Sequence, residues 1–161
     1  MALCLWQLAL RVGEVVALRL DDVVWRTGTV HIGTGKSRRT AVMPLPVDVG
    51  RAIAAYLREG RPTTTDRHIF VTHALPVGRP LESSAARQRI RRAFQRADLA
   101  VPSRGTHTLR HTAATSMTCQ GASLKEVADV LRHRNLDTTV IYARVDVPAL
   151  RSVALPWPEV H

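Results

Sequence analysis

The chain has 161 residues, 45% of them hydrophobic, which is the size and composition of one folded domain and excludes a wholly disordered protein. Twenty-three basic residues stand against thirteen acidic ones, so the formal net charge is +10. A charge of this sign and size indicates a polyanionic partner. Of the basic residues, 21 are arginine, whose guanidinium group pairs with phosphate oxygens in a bidentate geometry.

The cysteines and the N-terminal segment indicate the compartment. Cys4 and Cys119 are too few for a disulfide framework, and their apolar helical surroundings predict two reduced core residues. Residues 1–10 are almost all apolar, but they are too few to cross a bilayer and lack the pattern of a signal peptide. We therefore expect an intracellular protein without a membrane anchor. Because domains seldom begin inside a core element, we also expect further chain upstream of Met1.

The N-terminal part of the chain predicts a helix followed by a small sheet. Apolar residues from Leu3 to Leu18 follow a helical spacing without proline, and Gly13 is the only weak point of that helix. β-branched residues predict a strand over residues 23–32, with a turn at Thr27-Gly28. A second strand is predicted over residues 40–45, ending at prolines.

The middle of the chain predicts a helix, a short strand and a strongly cationic helix. The first helix covers residues 47–57, and the strand covers residues 68–72. The second helix, over residues 84–97, has an apolar stripe that includes Ile90 and Phe94. Its other faces carry basic and amide side chains, namely Arg87, Gln88, Arg89, Arg91, Arg92, Gln95 and Arg96.

The C-terminal part is predicted to be helical. One helix runs from His107 to about Cys119 and is stopped by Gly121, and a capping box over residues 123–126 starts the next. A last helix extends through Tyr142, and prolines make the following tail extended. Because strands and helices do not alternate, the element order predicts an α+β fold, mostly helical, with a small antiparallel sheet near the N-terminus.

The residues available for cleaving a phosphodiester favour a mechanism without metal. Such cleavage needs a nucleophile, a positive clamp on the nonbridging oxygens and an acid for the leaving oxygen. The only adjacent carboxylates, Asp21 and Asp22, would point to opposite faces of a strand, so no metal site is predicted. The histidines lack zinc-site spacing, and residues 33–37 lack the spacing of a phosphate-binding loop, so no cofactor is predicted. Arginines must supply the clamp.

Four motifs carry a family resemblance. They are Leu10-Arg11-Val-Gly-Glu14-Val-Val-Ala-Leu18, Gly35-Lys36, His107-Thr-Leu-Arg110-His111, and the segment from Leu131-Arg-His133 to Thr138-Thr-Val-Ile-Tyr142. In the third motif, helical spacing puts His107 and Arg110 on one face beside a helix N-terminus, which favours an anion. With these motifs in this order, the chain resembles the catalytic domain of tyrosine recombinases, the phage-integrase family of DNA strand-exchange enzymes.

The resemblance implies a nucleophile and a charge clamp. Tyr142 would attack the scissile phosphorus and form a 3′-phosphotyrosine, leaving a free 5′-hydroxyl. Arg11 and Arg110 would hold the two nonbridging oxygens, and Glu14 would support Arg11. Taken alone, Arg11 is equally well explained as a surface cation paired with Glu14 three residues later.

The resemblance also implies the groups that move protons. Lys36 would protonate the leaving 5′-oxygen, a task that suits a lysine whose pKa is lowered by burial and nearby cations. His107 would act in proton transfer at the tyrosine or the phosphate, and His133 would donate a hydrogen bond to the phosphate. His111 is expected to pack or hydrogen bond. Without the resemblance, Lys36 would be a solvated turn residue.

The resemblance implies double-stranded DNA as partner, with a free monomer, a tetramer on paired sites and a cytoplasmic location on the bacterial nucleoid. The catalytic domain would cover residues 1–146, and residues 147–161 would form a tail. Phosphate contacts are expected from arginines on the basic connection, the cationic helix and the last motif: Arg38, Arg39, Arg87, Arg89, Arg91, Arg92, Arg132 and Arg134.

The sequence departs from the family at two points. Family members carry a DNA-clamping helical domain and further helix before the first arginine, and a small residue, often glycine, where Arg132 stands. Two alternatives therefore stay open. One is a truncated relic or regulator that binds DNA without exchanging strands, and the other is a helix-turn-helix module over residues 123–142.

Overall fold

The computed structural model describes residues 1–33, 40–98 and 105–132. Two compact units make up the chain, Met1–Ala113 and Ala114–His161. Within the described ranges, no helix is long and apolar enough to cross a membrane. In chain order the elements are α1 (Ala2–Trp6), α2 (Val12–Ala17), β1 (Val23–Val24), β2 (Thr29–Gly33), β3 (Thr40–Pro44), α3 (Val47–Ala55), α4 (Ser83–Arg96), α5 (Thr106–Cys119) and α6 (Leu124–Leu131).

The predicted single helix over residues 3–18 is wrong, because the chain breaks into α1 and α2. Ala9, between them, has a left-handed backbone with φ +47°. Leu8, Ala9 and Leu10 are all at most 1% exposed. A continuous helix at the protein surface can turn only one stripe of side chains toward the core. Three consecutive residues span about 200° around a helix, more than one such stripe, and here all three are buried where the chain leaves the helical path.

The predicted sheet is confirmed. Its strands lie in the order β1-β2-β3 and pair antiparallel, with Val23 opposite Val30 and Ile32 opposite Ala41. The turn between β1 and β2 ends at Gly28, which has φ +62°. In β2 the buried side chains are Val30 and Ile32, two residues apart, so one face of the strand lies on the core. The mostly helical α+β prediction is likewise confirmed.

The predicted strand over residues 68–72 is wrong. The segment forms only single bridges, to Arg19 and to Pro80. The guanidinium group of Arg61 donates hydrogen bonds to the backbone carbonyls of residues 66, 68 and 69. Because two of these carbonyls belong to the predicted strand, a side chain occupies acceptors that a neighbouring strand would otherwise use.

The predicted helices of the middle region are confirmed. The helix predicted over residues 47–57 is α3, which continues into a wider π-helical turn over Tyr56–Gly60. In α4 the buried residues Ala86, Ile90 and Phe94 recur every four positions and join the hydrophobic core. Most basic side chains of α4 are thereby left exposed on its outer faces.

The two cysteines differ in environment. Cys4 is 1% exposed, as predicted, and burial raises the pKa of its thiol. Cys119 is exposed at the end of α5, so the prediction that it belongs to the core is wrong. Position 119 comes five and six residues after the buried Ala114 and Ala113, so its side chain lies on a different face of α5 from theirs.

The second unit confirms the predicted capping box. The Glu126 carboxylate accepts a hydrogen bond from the Ser123 backbone N–H at 2.7 Å, and the Ser123 hydroxyl accepts one from the Glu126 N–H at 3.3 Å. The Ser123 hydroxyl also donates to the Glu126 carboxylate at 2.7 Å, and this bond, followed by the one from the Ser123 backbone N–H, lowers the pKa of Glu126. Gly121 stops α5 with φ +89°. The last predicted helix and the tail lie outside the described residues.

Candidate active site around Arg11 and Arg110

Arg11 stands at the residue before α2, where Glu14 holds it at both ends. The Glu14 carboxylate accepts the Arg11 backbone N–H at 2.7 Å and the guanidinium Nη1–H at 3.1 Å. The first bond is half of a capping box, in which the third helical residue reaches back to the helix start. The Glu14 side chain is 9% exposed and that of Arg11 is 46% exposed. The predicted supporting role of Glu14 thus has a geometric counterpart.

Arg110 lies on α5 and is buried, at 6% exposure. Its Nη1 donates a hydrogen bond to the backbone carbonyl of Ala9, 101 residues earlier in the chain. Burying a guanidinium group is costly unless its N–H groups find acceptors, and this carbonyl is one. Since Ala9 is two residues before Arg11, the fold brings the Arg110 guanidinium to the segment that carries Arg11.

The first turns of α5 carry two histidines. His107 is exposed in the first turn, and His111 follows one turn later with a ring-centroid separation of 6.4 Å. Partial burial, then the neighbouring His107 and Arg110, hold the pKa of His111 below its usual value. A neutral His111 ring is therefore favoured, and the residue as a whole is exposed to solvent.

The four predicted DNA-contacting arginines of α4 fall into two environments. Arg87, Arg91 and Arg92 are exposed, whereas Arg89 is half-buried. Arg89 lines a cavity of about 250 Å³ whose walls include Ile53, Phe70 and other apolar side chains. Within the described part of the chain, none of the four forms an ion pair. The outer face of α4 is therefore positively charged and open to solvent.

Arg132 lies in the second unit, directly after α6. Its backbone is left-handed, with φ +52°, and its Nη1 donates to the Val130 carbonyl at 3.0 Å. Helices commonly end at a left-handed residue, where glycine is favoured because it has no Cβ. This left-handed backbone explains why the family resemblance leads us to expect a small residue, often glycine, at this position.

The other predicted site residues lie outside the described residues. They are Lys36, Arg38, Arg39, His133, Arg134 and Tyr142. Across the ranges 1–33, 40–98 and 105–132, no three His, Cys, Asp or Glu side chains form a group that could hold a metal ion. The predicted site residues that the structure describes near Arg11 and α5 are thus two arginines, a supporting carboxylate and two histidines. Arginines of this kind can bind and neutralise an anion.

The hydrogen bond between Arg110 and the Ala9 carbonyl could not be predicted from the sequence. A backbone carbonyl is present at every residue, so no residue type marks it as the acceptor of a distant arginine. The only available signal was the run of three apolar residues before Arg11, which is too dense for one amphipathic helix.

Comparison with known proteins identifies relatives along nearly the whole chain. The sequence profile described as the phage integrase family matches residues 1–148. A protein of Sinorhizobium fredii (strain NBRC 101917 / NGR234), provisionally named integrase/recombinase y4rA, is 44% identical over 158 residues, which are 98% of this chain and 38% of y4rA. Tyrosine recombinase XerC of Bifidobacterium longum (strain DJO10A) is 33% identical over 92% of this chain and 43% of XerC. The chain thus spans less than half the length of these two relatives.

Solved structures have the same fold. The crystal structure of XerA recombinase superimposes with a TM-score of 0.75 at 25% identity, over 94% of this chain and 54% of XerA. XerH site-specific recombinase, bound to a palindromic difH substrate in a post-cleavage complex, superimposes with a TM-score of 0.76 at 24% identity, over 94% of this chain and 42% of XerH. Because the family profile matches residues 1–148, the chain belongs to the phage integrase family.

Proposed function

We propose that this chain is the catalytic domain of a site-specific tyrosine recombinase, which cuts and rejoins DNA strands through a 3′-phosphotyrosine intermediate without a metal ion. The catalytic domain would end near residue 146, and residues 147–161 would form a tail. The observation that carries the proposal is the hydrogen bond from buried Arg110 to the Ala9 carbonyl, beside Arg11. This bond brings the Arg110 guanidinium to a backbone carbonyl two residues before Arg11, which supports the proposal that the two arginines act on one phosphate.

The proposed reaction conserves the energy of one phosphodiester bond. The Tyr142 hydroxyl oxygen attacks the scissile phosphorus, the bond from phosphorus to the 5′-oxygen breaks, and the tyrosine proton passes to a base, for which His107 is the candidate. Lys36 gives the 5′-oxygen its proton. In the reverse step a 5′-hydroxyl attacks the phosphotyrosine and releases Tyr142, so rejoining needs no nucleotide.

The two arginines would act on the charge that develops at phosphorus. Arg11 and Arg110 would each pair with a nonbridging oxygen, and His133 would donate a further hydrogen bond to the phosphate. Removing one such fixed donor costs about 10²–10³ in rate. Because Arg110 is buried and Glu14 orients Arg11, neither guanidinium group has to reorganise much when charge develops.

Double-stranded DNA is the proposed partner. The net charge of +10 and the open arginines of α4 support binding to phosphates. The proposed phosphate contacts are Arg38, Arg39, Arg87, Arg89, Arg91, Arg92, Arg132 and Arg134. We further propose a monomer in free solution, a tetramer on paired sites and a location on the bacterial nucleoid.

The test is covalent capture from a pool of nicked duplexes with randomised sequence. A nick near the cleavage site lets a short strand diffuse away, so the covalent complex accumulates and is recovered on a denaturing gel for sequencing. Wild-type protein should form the adduct, and Tyr142→Phe should form none. Tyr56→Phe is the matched control, because Tyr56 is the other tyrosine of the chain and hydrogen bonds to His73 instead.

Two results would contradict the proposal. An adduct formed equally by Tyr142→Phe would exclude this nucleophile, and an undiminished adduct in Arg110→Ala would exclude the clamp. DNA binding by the wild type without any adduct would instead establish the relic or regulator that binds but does not cut. A DNA affinity that does not change with salt would exclude nucleic acid as the partner, because each neutralised phosphate contributes a slope of about −0.9.

A further inference from the structure

The turn between α1 and α2 has a left-handed backbone at an alanine. Ala9 has φ +47°, a region that favours glycine because the Cβ of any other residue crowds the following carbonyl. The residue is 1% exposed, and Leu8 and Leu10 on either side of it are as deeply buried. The packing of these two leucines keeps the alanine in a conformation that it seldom adopts in a free chain.

This backbone conformation directs the Ala9 carbonyl out of the helical ladder. In a continuing helix the carbonyl would accept the N–H four residues later. Instead it accepts a hydrogen bond from Arg110 Nη1. The N–H groups of Ala9 and Leu10 donate back to the carbonyls of Trp6 and Cys4, at 3.3 and 3.2 Å. Since buried backbone groups require partners, the turn and the arginine satisfy each other.

We infer that Ala9 is the positioning residue of the arginine pair, an inference that rests on the proposed function. A guanidinium group has five N–H donors in a rigid plane, so the bond to the Ala9 carbonyl fixes the position of one corner of the Arg110 group. Arg11 follows two residues later, and Glu14 orients its guanidinium group. The backbone torsion angles of Ala9 and Leu10 therefore set where one arginine stands relative to the other.

The test compares single-turnover adduct formation, at saturating amounts of a duplex recovered from the pool, by wild type, Ala9→Gly and Ala9→Val. Glycine adopts the left-handed backbone freely, so its rate constant should stay within about twofold of wild type. A β-branched valine resists that backbone, so the rate constant of Ala9→Val should fall roughly 10- to 100-fold. This is less than the effect of removing a fixed donor altogether, because Arg110 is misplaced and not lost. DNA affinity should be unchanged.

A second duplex distinguishes two explanations for a slower Ala9→Val variant, namely misplaced arginines and a less stable fold. In it a methyl group replaces one nonbridging oxygen of the scissile phosphate, which removes the negative charge that the arginines neutralise. The deficit of Ala9→Val should be smaller on this duplex than on ordinary DNA. Ile53→Val, at a buried residue of α3, is the control for lost stability and should be slowed equally on both duplexes. An equal deficit of Ala9→Val on both, or none on either, overturns the inference.

The fixed position of Arg110 can also be tested on the wild-type protein alone, so that this test does not depend on whether a variant folds. The guanidinium N–H protons of Arg110 should exchange with water more slowly in NMR spectra than those of the exposed Arg58. Equally fast exchange overturns the inference. If the wild type forms no adduct with any duplex, the proposed function and the positioning role are both excluded. Adduct formation by wild type together with an unslowed Ala9→Val excludes the positioning role alone.

Discussion

Glu14 binds Arg11 at both ends, accepting its backbone N–H at 2.7 Å and its guanidinium Nη1–H at 3.1 Å. The carboxylate is nearly buried, at 9% exposure, whereas the guanidinium-bearing side chain is 46% exposed. A fixed, shielded anion therefore orients a cation that still faces solvent. Such a cation is held ready for a second anion, and the proposed one is the scissile phosphate.

Glu14→Gln tests what the orientation of Arg11 contributes, because the variant keeps the arginine and weakens the hydrogen bonds that orient it. The amide removes the charge that strengthens both hydrogen bonds, so the free energy of unfolding should fall by about 1–3 kcal/mol. With Arg11 less well oriented, the rate constant for adduct formation should fall roughly tenfold, less than the loss of a whole electrostatic donor. Urea unfolding and single-turnover cleavage measure the two effects.

Asp22→Asn is the matched control for that substitution. The Asp22 carboxylate accepts the Arg19 backbone N–H at 2.7 Å, the same three-residue arrangement outside the proposed site. Its loss should lower stability and leave cleavage unchanged at a temperature where the protein is folded. Equal slowing by the two variants would mean that Glu14 serves the fold alone.

Ala9→Gly should be tolerated far better than the same substitution in a helix. Glycine removes the left-handed penalty of about 1–2 kcal/mol at Ala9, which offsets the lost methyl burial. Ala86 in α4 is equally buried at 1% exposure, but there glycine costs about 1 kcal/mol of helix propensity. Chemical denaturation should therefore find Ala86→Gly less stable than Ala9→Gly by roughly 2 kcal/mol. The reverse order would contradict a strained Ala9.

The arginines of α4 should contribute unequally to DNA binding. Replacing exposed Arg87, Arg91 or Arg92 by glutamine should reduce the slope of log affinity against log salt by about 0.9 each, if each contacts one phosphate. Arg89→Gln should change it less, because that side chain lies half-buried against the apolar cavity. Fluorescence anisotropy across a salt series measures the slopes. Four equal effects would mean that Arg89 leaves the cavity on binding.

Stability should decrease as the pH falls through the titration range of His111. Partial burial, then His107 and Arg110, lower the pKa of His111 in the folded protein, so below about pH 6.5 the unfolded chain binds a proton more readily. The stability that the neutral His111 ring contributes is therefore fully present above about pH 6.5. It is lost as the pH falls from there through the lower pKa that His111 has in the folded protein. The melting temperature of wild type should decrease more than that of His111→Gln between about pH 7.5 and pH 5.5. Parallel decreases would exclude this histidine.

Local pattern was sufficient for much of the fold, whereas the proposed site residues rest on the family resemblance. Turn glycines, the Ser123 capping box and the spacing of Ile90 and Phe94 each act within a few residues, so the sheet, α4 and α6 could be predicted from sequence. Residue type shows that Arg11 and Arg110 can donate hydrogen bonds to an anion, but their assignment to one site came from the resemblance.

The tertiary structure decided what depends on distant partners. The break at Ala9 lies where three consecutive residues are buried, and at residues 68–72 the guanidinium of Arg61 donates to two backbone carbonyls of the predicted strand. The acceptor for Arg110 is a backbone carbonyl 101 residues away. Every residue offers a carbonyl, so only the folded path of the chain, through packing around Leu8 and Leu10, could select this one.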